Sequence, residues 1–294
     1  MIDKLEMFIA LARETHFGRA AESLGVTQPT LSAGIKSLEA QLGVQLVWRG
    51  SRYGGLTPEG QRVLVWARQI VADTRTMREE MRAVRQGLAG NLRLAVIPTA
   101  LTSVTDLTGR FGKAHPNVRF TILSRTSIEI LSMIENLEVD AGISYLDNEP
   151  LGRVVTVPLY RERFMFVCAE DAPLAGRAEV GWADIADEPL CLLTPDMQNR
   201  RIINQQFQEV GCTVTGAVES NSTVVLMAHV ATGRWATILP VQMAEFLAAG
   251  KPVKIIALQE TAKRHAVGLI APYREPHTPV LAALLREAQG IAQM

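Results

Sequence analysis

Thr27-Gln28-Pro29-Thr30-Leu31-Ser32, with Lys36 a turn further on, is the stretch whose residue types could most directly act on a partner. Neutral hydrogen-bonding side chains stand here at the front of a run that is otherwise apolar. A Gln amide can pair with both polar atoms on the major-groove edge of adenine, and a proline ring can lie against a thymine methyl. Thr27, Thr30 and Ser32 offer hydroxyls for bases or phosphates, and the free N–H groups of a helix start suit a phosphate. Lys36 is placed for a phosphate or a guanine. Arg49 and Arg52 follow in a short loop, where they could meet the flanking phosphates. The plainer alternative is that Ser and Thr at a helix start only cap it, and that an Ala-rich helix pair only packs.

The elements that must carry these residues can be read from the apolar spacing. Leu5, Phe8, Ile9 and Ala12 predict a helix over 3–15, and Ala20, Ala21 and Leu24 a short one over 18–24. Gly25 suits its end. Thr27 is a good N-cap for a third helix, and Pro29 is tolerated in its first turn. Leu31, Ile35, Leu38 and Leu42 step by 4, 3 and 4, so that helix buries one face until Gly43. Two helices around a tight turn are the arrangement that sets the front of the second helix in the DNA major groove. Residues 44–48 and 55–57 read as short strands around the loop 49–54, a wing that holds Arg49 and Arg52.

From Pro58 a helix is expected through residue 87, reaching about 45 Å at 1.5 Å per residue. Ala67, Ile70, Thr74, Met77, Met81, Val84 and Leu88 alternate steps of 3 and 4, a heptad stripe that calls for a partner helix. Beyond Gly87-Leu88-Ala89-Gly90 strands and helices alternate. Strands are expected at 91–97, 118–123, 140–145, 164–169, 190–193, 214–219, 235–239 and 265–271, with helices between them and a last one at 277–292. That rhythm predicts an α/β fold on a mainly parallel sheet.

Composition narrows the function classes. Apolar residues make up 48% and charged residues 20% of 294, enough for a large core, and formal net charge is zero. Residues 1–87 hold 12 Lys and Arg against 9 Asp and Glu, a mild lean toward an anionic partner. The N-terminus lacks the pattern of a signal peptide, and no stretch approaches a membrane span. The sequence therefore reads as cytoplasmic. Cys168, Cys191 and Cys212 have no metal or CxxC spacing, and the five histidines are scattered. The phosphate, dinucleotide, zinc-protease and serine-hydrolase motifs are absent, so an enzyme is not expected. Cys191 and Cys212 leave a redox sensor as a minor alternative.

The first 60 residues resemble the LysR-type transcriptional regulators. Phe8, Phe17, Ala20-Ala21, Leu24, Val26, Gln28-Pro29, Leu31-Ser32, Ile35, Leu38-Glu39, Leu42-Gly43, Leu46, Arg49 and Thr57-Pro58-Glu59-Gly60 carry the likeness in one register. Residues 115–123, 134–143, 172–177 and 230–240 extend it more loosely along the chain. The resemblance implies a winged helix-turn-helix at 1–60, a linker and dimerisation helix at 61–88, and an effector domain at 89–294. That domain would consist of two α/β lobes resembling periplasmic binding proteins, lobe I over 89–161 and 266–294, lobe II over 162–265. It also implies double-stranded promoter DNA as partner, a homodimer through the linker helix, assembly to a homotetramer and a small-molecule effector between the lobes. Two departures stand out. Ala33 and Gly34 occupy positions where relatives carry longer polar residues, which shifts base reading onto Thr27, Gln28, Pro29 and Thr30. Arg234-Trp235 stands where small or aliphatic residues are common, and Trp235 either narrows the cleft or fills core.

Within such a domain a ligand sits beyond the carboxyl ends of the strands, where helices begin. Four stretches meet that condition: 98–103, 124–127, 194–199 and 220–223. Thr99, Ala100, Thr102, Ser127, Tyr145, Met197, Arg200 and Asn221 are the resulting candidates, with Thr99 and Ser127 foremost. Their hydroxyls, amides and backbone N–H groups suit a small anion or carboxylate, and the resemblance suggests formate among these. No other cofactor and no metal are expected. A small-molecule binding protein that does not act on DNA is the alternative.

Overall fold

A computed structural model describes residues 1–48, 53–259 and 264–292. The chain divides into two compact units, one built chiefly from Met1–Gly87 and one from the chain that follows.

In the first unit, helix α1 (Ile2–Glu14), α2 (Phe17–Ser23) and α3 (Gln28–Leu42) enclose Phe8, Leu11, Ala20, Leu31, Leu38 and Leu46. Each start and stop has a local cause. The His16 Nδ1 accepts from the N–H groups of Gly18 and Arg19, capping α2. Thr27 caps α3 by accepting from the Thr30 N–H, and Gly43, at φ 70°, ends it. The two expected strands of the wing reduce to a single antiparallel bridge, Val47 to Leu56. It is held by Trp48 N–H to Gly55 O and Thr57 N–H to Leu46 O, both 3.0 Å. Glu39 braces it from α3, its Oε1 accepting from the N–H of Leu46 at 2.8 Å and of Val47 at 3.3 Å.

Helix α4 (Pro58–Gln86) starts against the same segment. The Thr57 hydroxyl donates to Gln45 O and accepts from Gly60 N–H. A Cβ on Gly60 would stand 2.1 Å from the Leu46 carbonyl oxygen, so only glycine permits this approach. Of the heptad stripe, Ala67 is buried, while Ile70, Met77, Met81 and Val84 are exposed, Val84 at 81%. Val65 and Trp66 extend the exposed apolar surface.

The second unit holds two sheets. The first comprises β1 (Gly90–Val96), β2 (Val118–Ser124), β3 (Ala141–Tyr145), β4 (Val154–Arg161) and a late strand at Ala266–Pro272, with α5 (Val104–Ala114) and α6 (Ser127–Glu135) between its strands. The second comprises β5 (Phe164–Ala169), β6 (Glu179–Val180), β7 (Leu190–Leu193), β8 (Val218–Ser220), β9 (Ala236–Pro240) and β10 (Val253–Leu258). Helices α7 (Gln198–Glu209), α8 (Thr223–Val230) and α9 (Val241–Ala248) belong with it. The late strand is β11, and α10 (Pro279–Ala292) closes the chain's described part.

Sheet order is β2-β1-β3-β11-β4 and β6-β10-β5-β9-β7-β8. The expectation of a mainly parallel sheet is corrected here. β11 runs antiparallel to both β3 and β4, and β5 antiparallel to β9 and β10. The cause lies in the two crossings between sheets, β4 to β5 and β10 to β11. Each crossing feeds a strand into the next sheet without the returning helix that a parallel neighbour requires. β4, β6, α9 and β10 had no counterpart in the sequence reading.

Candidate functional site: a helix edge and an inter-lobe cleft

The edge comes first. Along α3, Leu31, Ile35 and Leu38 face inward. That leaves Thr27, Gln28, Pro29, Thr30 and Lys36 exposed and Ser32 half-buried. The Thr27 and Thr30 hydroxyls lie 2.8 Å apart, so the cap holds both at the front of the helix. Capping and exposure coexist, because only one lone pair of Thr27 is used by the Thr30 N–H. Gly34 does not belong to the edge. A Cβ there would meet Met7 Sδ of α1 at 2.4 Å, so this position faces the helix packed behind it. Ala33 is exposed and offers only a methyl. Arg49 and Arg52 lie outside the described residues, but the bridge that frames their loop is in place. Glu39, Thr57 and Gly60, which fix the wing to α3 and α4, carry no chemistry of their own and could not be assigned roles from spacing.

The cleft lies between the two sheets of the second unit. Thr99, Ser127, Tyr145 and Met197 line one small cavity there, together with Pro98, Gln198 and Asn199. Its free volume is 10 Å³, room for about one water-sized group. Thr99 sits in a 3-10 turn, Pro98–Ala100, that follows β1. Ser127 opens α6, yet it is not the cap. Thr126 and Glu129 cap that helix reciprocally, with Thr126 N–H to Glu129 Oε2 at 2.8 Å and Glu129 N–H to Thr126 Oγ1 at 3.2 Å. The Ser127 hydroxyl is left buried and without a partner. Met197 precedes α7, whose start has no side-chain cap, so its first N–H groups remain available.

Four candidates stand elsewhere. Ala100 is buried in the turn, Thr102 lies beyond it, and neither reaches the cavity lining. Asn221 directly follows β8, is exposed and does not line the cavity. Arg200 is buried and committed to structure: Nη1 donates to Leu193 O at 2.9 Å and pairs with Glu219 Oε1 at 2.7 Å, and Nε donates to Asn204 Oδ1. Trp235 also stays out of the lining. It lies under the Arg234 guanidinium, 5.1 Å from its ring centre, and edge-on to His229 at 5.3 Å.

The lobes are tied across the cleft by side-chain hydrogen bonds. Asn199 Nδ2 donates to the Tyr145 hydroxyl at 3.0 Å, and Gln198 Nε2 to Asp147 O at 3.1 Å. Arg201 grips Glu149 with two bonds of 2.6 and 2.9 Å. Behind the cleft the Tyr145 hydroxyl donates to Glu162 Oε2. Burial pushes the Glu162 carboxyl up to about 8, with Asp147 adding to the rise and the Tyr145 bond opposing it. Burial, then the neighbouring Glu162, raises the Tyr145 phenol well above its ordinary value. The strands that supply these residues bring together positions 17 to 54 residues apart, so no local spacing marks them.

Comparison with known proteins assigns both parts of the chain to known families. Residues 2–61 match the family described as bacterial regulatory helix-turn-helix protein, lysR family, and residues 85–292 match the LysR substrate binding domain. The HTH-type transcriptional regulator XapR of Escherichia coli (strain K12) is 29% identical over 236 residues, 80% of this chain and 80% of that protein. The DNA-binding transcriptional dual regulator OxyR of the same strain is 30% identical over 240 residues, 81% of this chain and 78% of that protein. Among solved structures, a full-length OxyR variant from Pseudomonas aeruginosa superposes with a TM-score of 0.76 at 25% identity, over 98% of this chain and 97% of that one. Among the described residues no helix is long and apolar enough to cross a membrane. With a helix-turn-helix match over residues 2–61 and a substrate-binding-domain match over residues 85–292, the chain belongs to the LysR family of transcriptional regulators.

Proposed function

We propose that Thr27, Gln28, Pro29 and Thr30 read base edges in the major groove of promoter DNA, and that the inter-lobe cleft binds a small carboxylate that modulates the response. One observation carries the first half. The front of α3 is polar and exposed, although the rest of the helix is built to be buried. A helix that only packed would have no reason to keep Gln28 and Pro29 outside its own core. The same exposed front argues against a small-molecule binder that never meets DNA. Lys36 supplies a phosphate contact. The exposed apolar face of α4, with Ile70, Met77, Met81 and Val84, pairs with a second copy, so that two α3 helices address two half-sites. Further association of such pairs gives the tetramer.

For the effector, the supporting observations are the unpartnered Ser127 hydroxyl and the uncapped start of α7 at one cavity. Both donate to an anion, and the volume limits the ligand to a few atoms unless the lobes part. Formate heads the candidates on size. Thiol chemistry does not fit this cleft. Cys168 and Cys191 are buried in strands, and burial pushes both thiols up to about 11. A thiolate at neutral pH is what an oxidant-sensing cysteine needs. We read the protein as a cytoplasmic regulator without catalytic activity of its own.

A gel shift on the DNA upstream of the gene, repeated over a salt series, tests the reading. Specific binding should weaken with salt at a log–log slope of about 0.9 per phosphate contacted. A footprint over a T-rich inverted repeat, with half-sites one helical turn or a multiple apart, is the expected pattern. Binding that ignores sequence at every salt concentration would refute it.

A further inference from the structure

A second cavity of the second unit lies apart from the cleft. It lies behind the crossing strands and has a free volume of 200 Å³. Glu162, Gln206 and His265 line it together with the charged Glu179, Arg163 and Arg264, and the first three are buried, 3%, 2% and 2% exposed. Each also carries a polar atom with no hydrogen-bond partner: Glu162 Oε1, Gln206 Oε1 and His265 Nε2. Burying such an atom unpaired is unfavourable, so three at one cavity call for an explanation.

Their chemistry agrees. The His265 Nδ1 stands 2.8 Å from the Asp147 carboxylate, which also accepts from Ala266 N–H. A carboxylate can only accept, so Nδ1 carries the hydrogen, and in the neutral ring Nε2 then presents its lone pair. Gln206 presents an oxygen, and Glu162 a second one once its carboxyl has lost the proton that burial holds up to about 8. Three acceptors therefore share one wall, and Trp182 and Phe164 form another, edge to face at 6.3 Å. A carboxyl group beside aromatic rings, with acceptors to spare, is a setting for an ammonium group.

We propose that this cavity is a second ligand site, for a small primary amine, whose ammonium group is held by Glu162, Gln206 and His265 and whose apolar part lies along Trp182 and Phe164. The site is separate from the cleft but joined to it. Tyr145 lines the cleft and donates to Glu162, and Asn199, also of the cleft, donates to Tyr145. The proposal stands whether or not the cleft binds a carboxylate.

Calorimetric titration of the full chain with benzylamine at about pH 9, above the value to which burial raises Glu162, with benzoate as the anionic control, tests it. Saturable binding of benzylamine is expected, with benzoate at least about tenfold weaker. Glu162→Gln should weaken benzylamine about tenfold or more, by loss of the charge-assisted bond. Ala257→Phe should abolish binding, because Ala257 lines the cavity and the ring would fill it. If that variant does not fold, the near-isosteric Gln206→Leu takes its place and should weaken binding similarly. Ser127→Leu, which blocks the cleft alone, should leave benzylamine affinity unchanged. No saturable binding, equal binding of benzoate, or loss through Ser127→Leu with retention in Ala257→Phe would each overturn the proposal.

Discussion

Glu162→Gln should reverse part of the pH dependence of stability of the effector domain. Burial raises this carboxyl from its ordinary 4.5 to about 8, so the folded domain holds a proton that the unfolded chain has already released. Below pH 4.5 both states are protonated and the group is neutral to stability. Between 4.5 and about 8 unfolding releases the proton, so each rising pH unit costs about 1.4 kcal/mol. Above about 8 neither state holds it and the loss levels off. The full interval amounts to about 5 kcal/mol, an upper figure because partial opening lets water in. Glutamine keeps an oxygen for the Tyr145 hydroxyl and cannot titrate. Urea unfolding of both proteins from pH 5 to 9 isolates the term, since every other group titrates alike in the two. The stability difference should move in favour of the variant by several kcal/mol as pH rises, with most of the change below pH 8. A difference that stays flat across the range would refute the buried, protonated Glu162.

Other substitutions test the remaining joints. Gly60→Ala drives a methyl into the Leu46 carbonyl and should destabilise the first unit by about 3 kcal/mol, read from its melting curve. Ser127→Ala removes an unpartnered buried hydroxyl, so the free protein should be as stable or about 1 kcal/mol more stable, while the thermal shift produced by formate should shrink about tenfold in apparent affinity. Met77→Glu with Met81→Glu places charge on the exposed apolar face of α4 and should raise the dimer dissociation constant about a hundredfold in sedimentation. Lys36→Gln should lower the salt slope of DNA binding by about 0.9 without changing sequence preference.

The sequence made the helix-turn-helix legible because its determinants are local. Thr27, Leu31, Ile35 and Leu38 lie within twelve positions, and helical periodicity alone assigns one side to the core and the other to solvent. Thr99 and Ser127 could be expected at one cavity because both follow strand ends. Arg200 shows where that reasoning stops. Its position at the start of a helix looked available, but Glu219, nineteen residues on, holds it from the next strand. The Asn199–Tyr145–Glu162 chain failed to register for the same reason: its members meet only after the chain has crossed from β4 to β5. The crossings between sheets also explain why a rhythm of alternating strands and helices gave mixed rather than parallel sheets.

The central claim is that the front of α3 reads sequence. Competition binding of cognate promoter DNA against scrambled DNA, for the wild-type protein and Gln28→Ala, tests it most directly. Loss of one bidentate base contact should cut the preference by about 1–3 kcal/mol, roughly tenfold or more, with affinity for scrambled DNA unchanged. A variant that keeps the full preference would contradict the assignment of Gln28 and, with it, of the edge from Thr27 to Thr30.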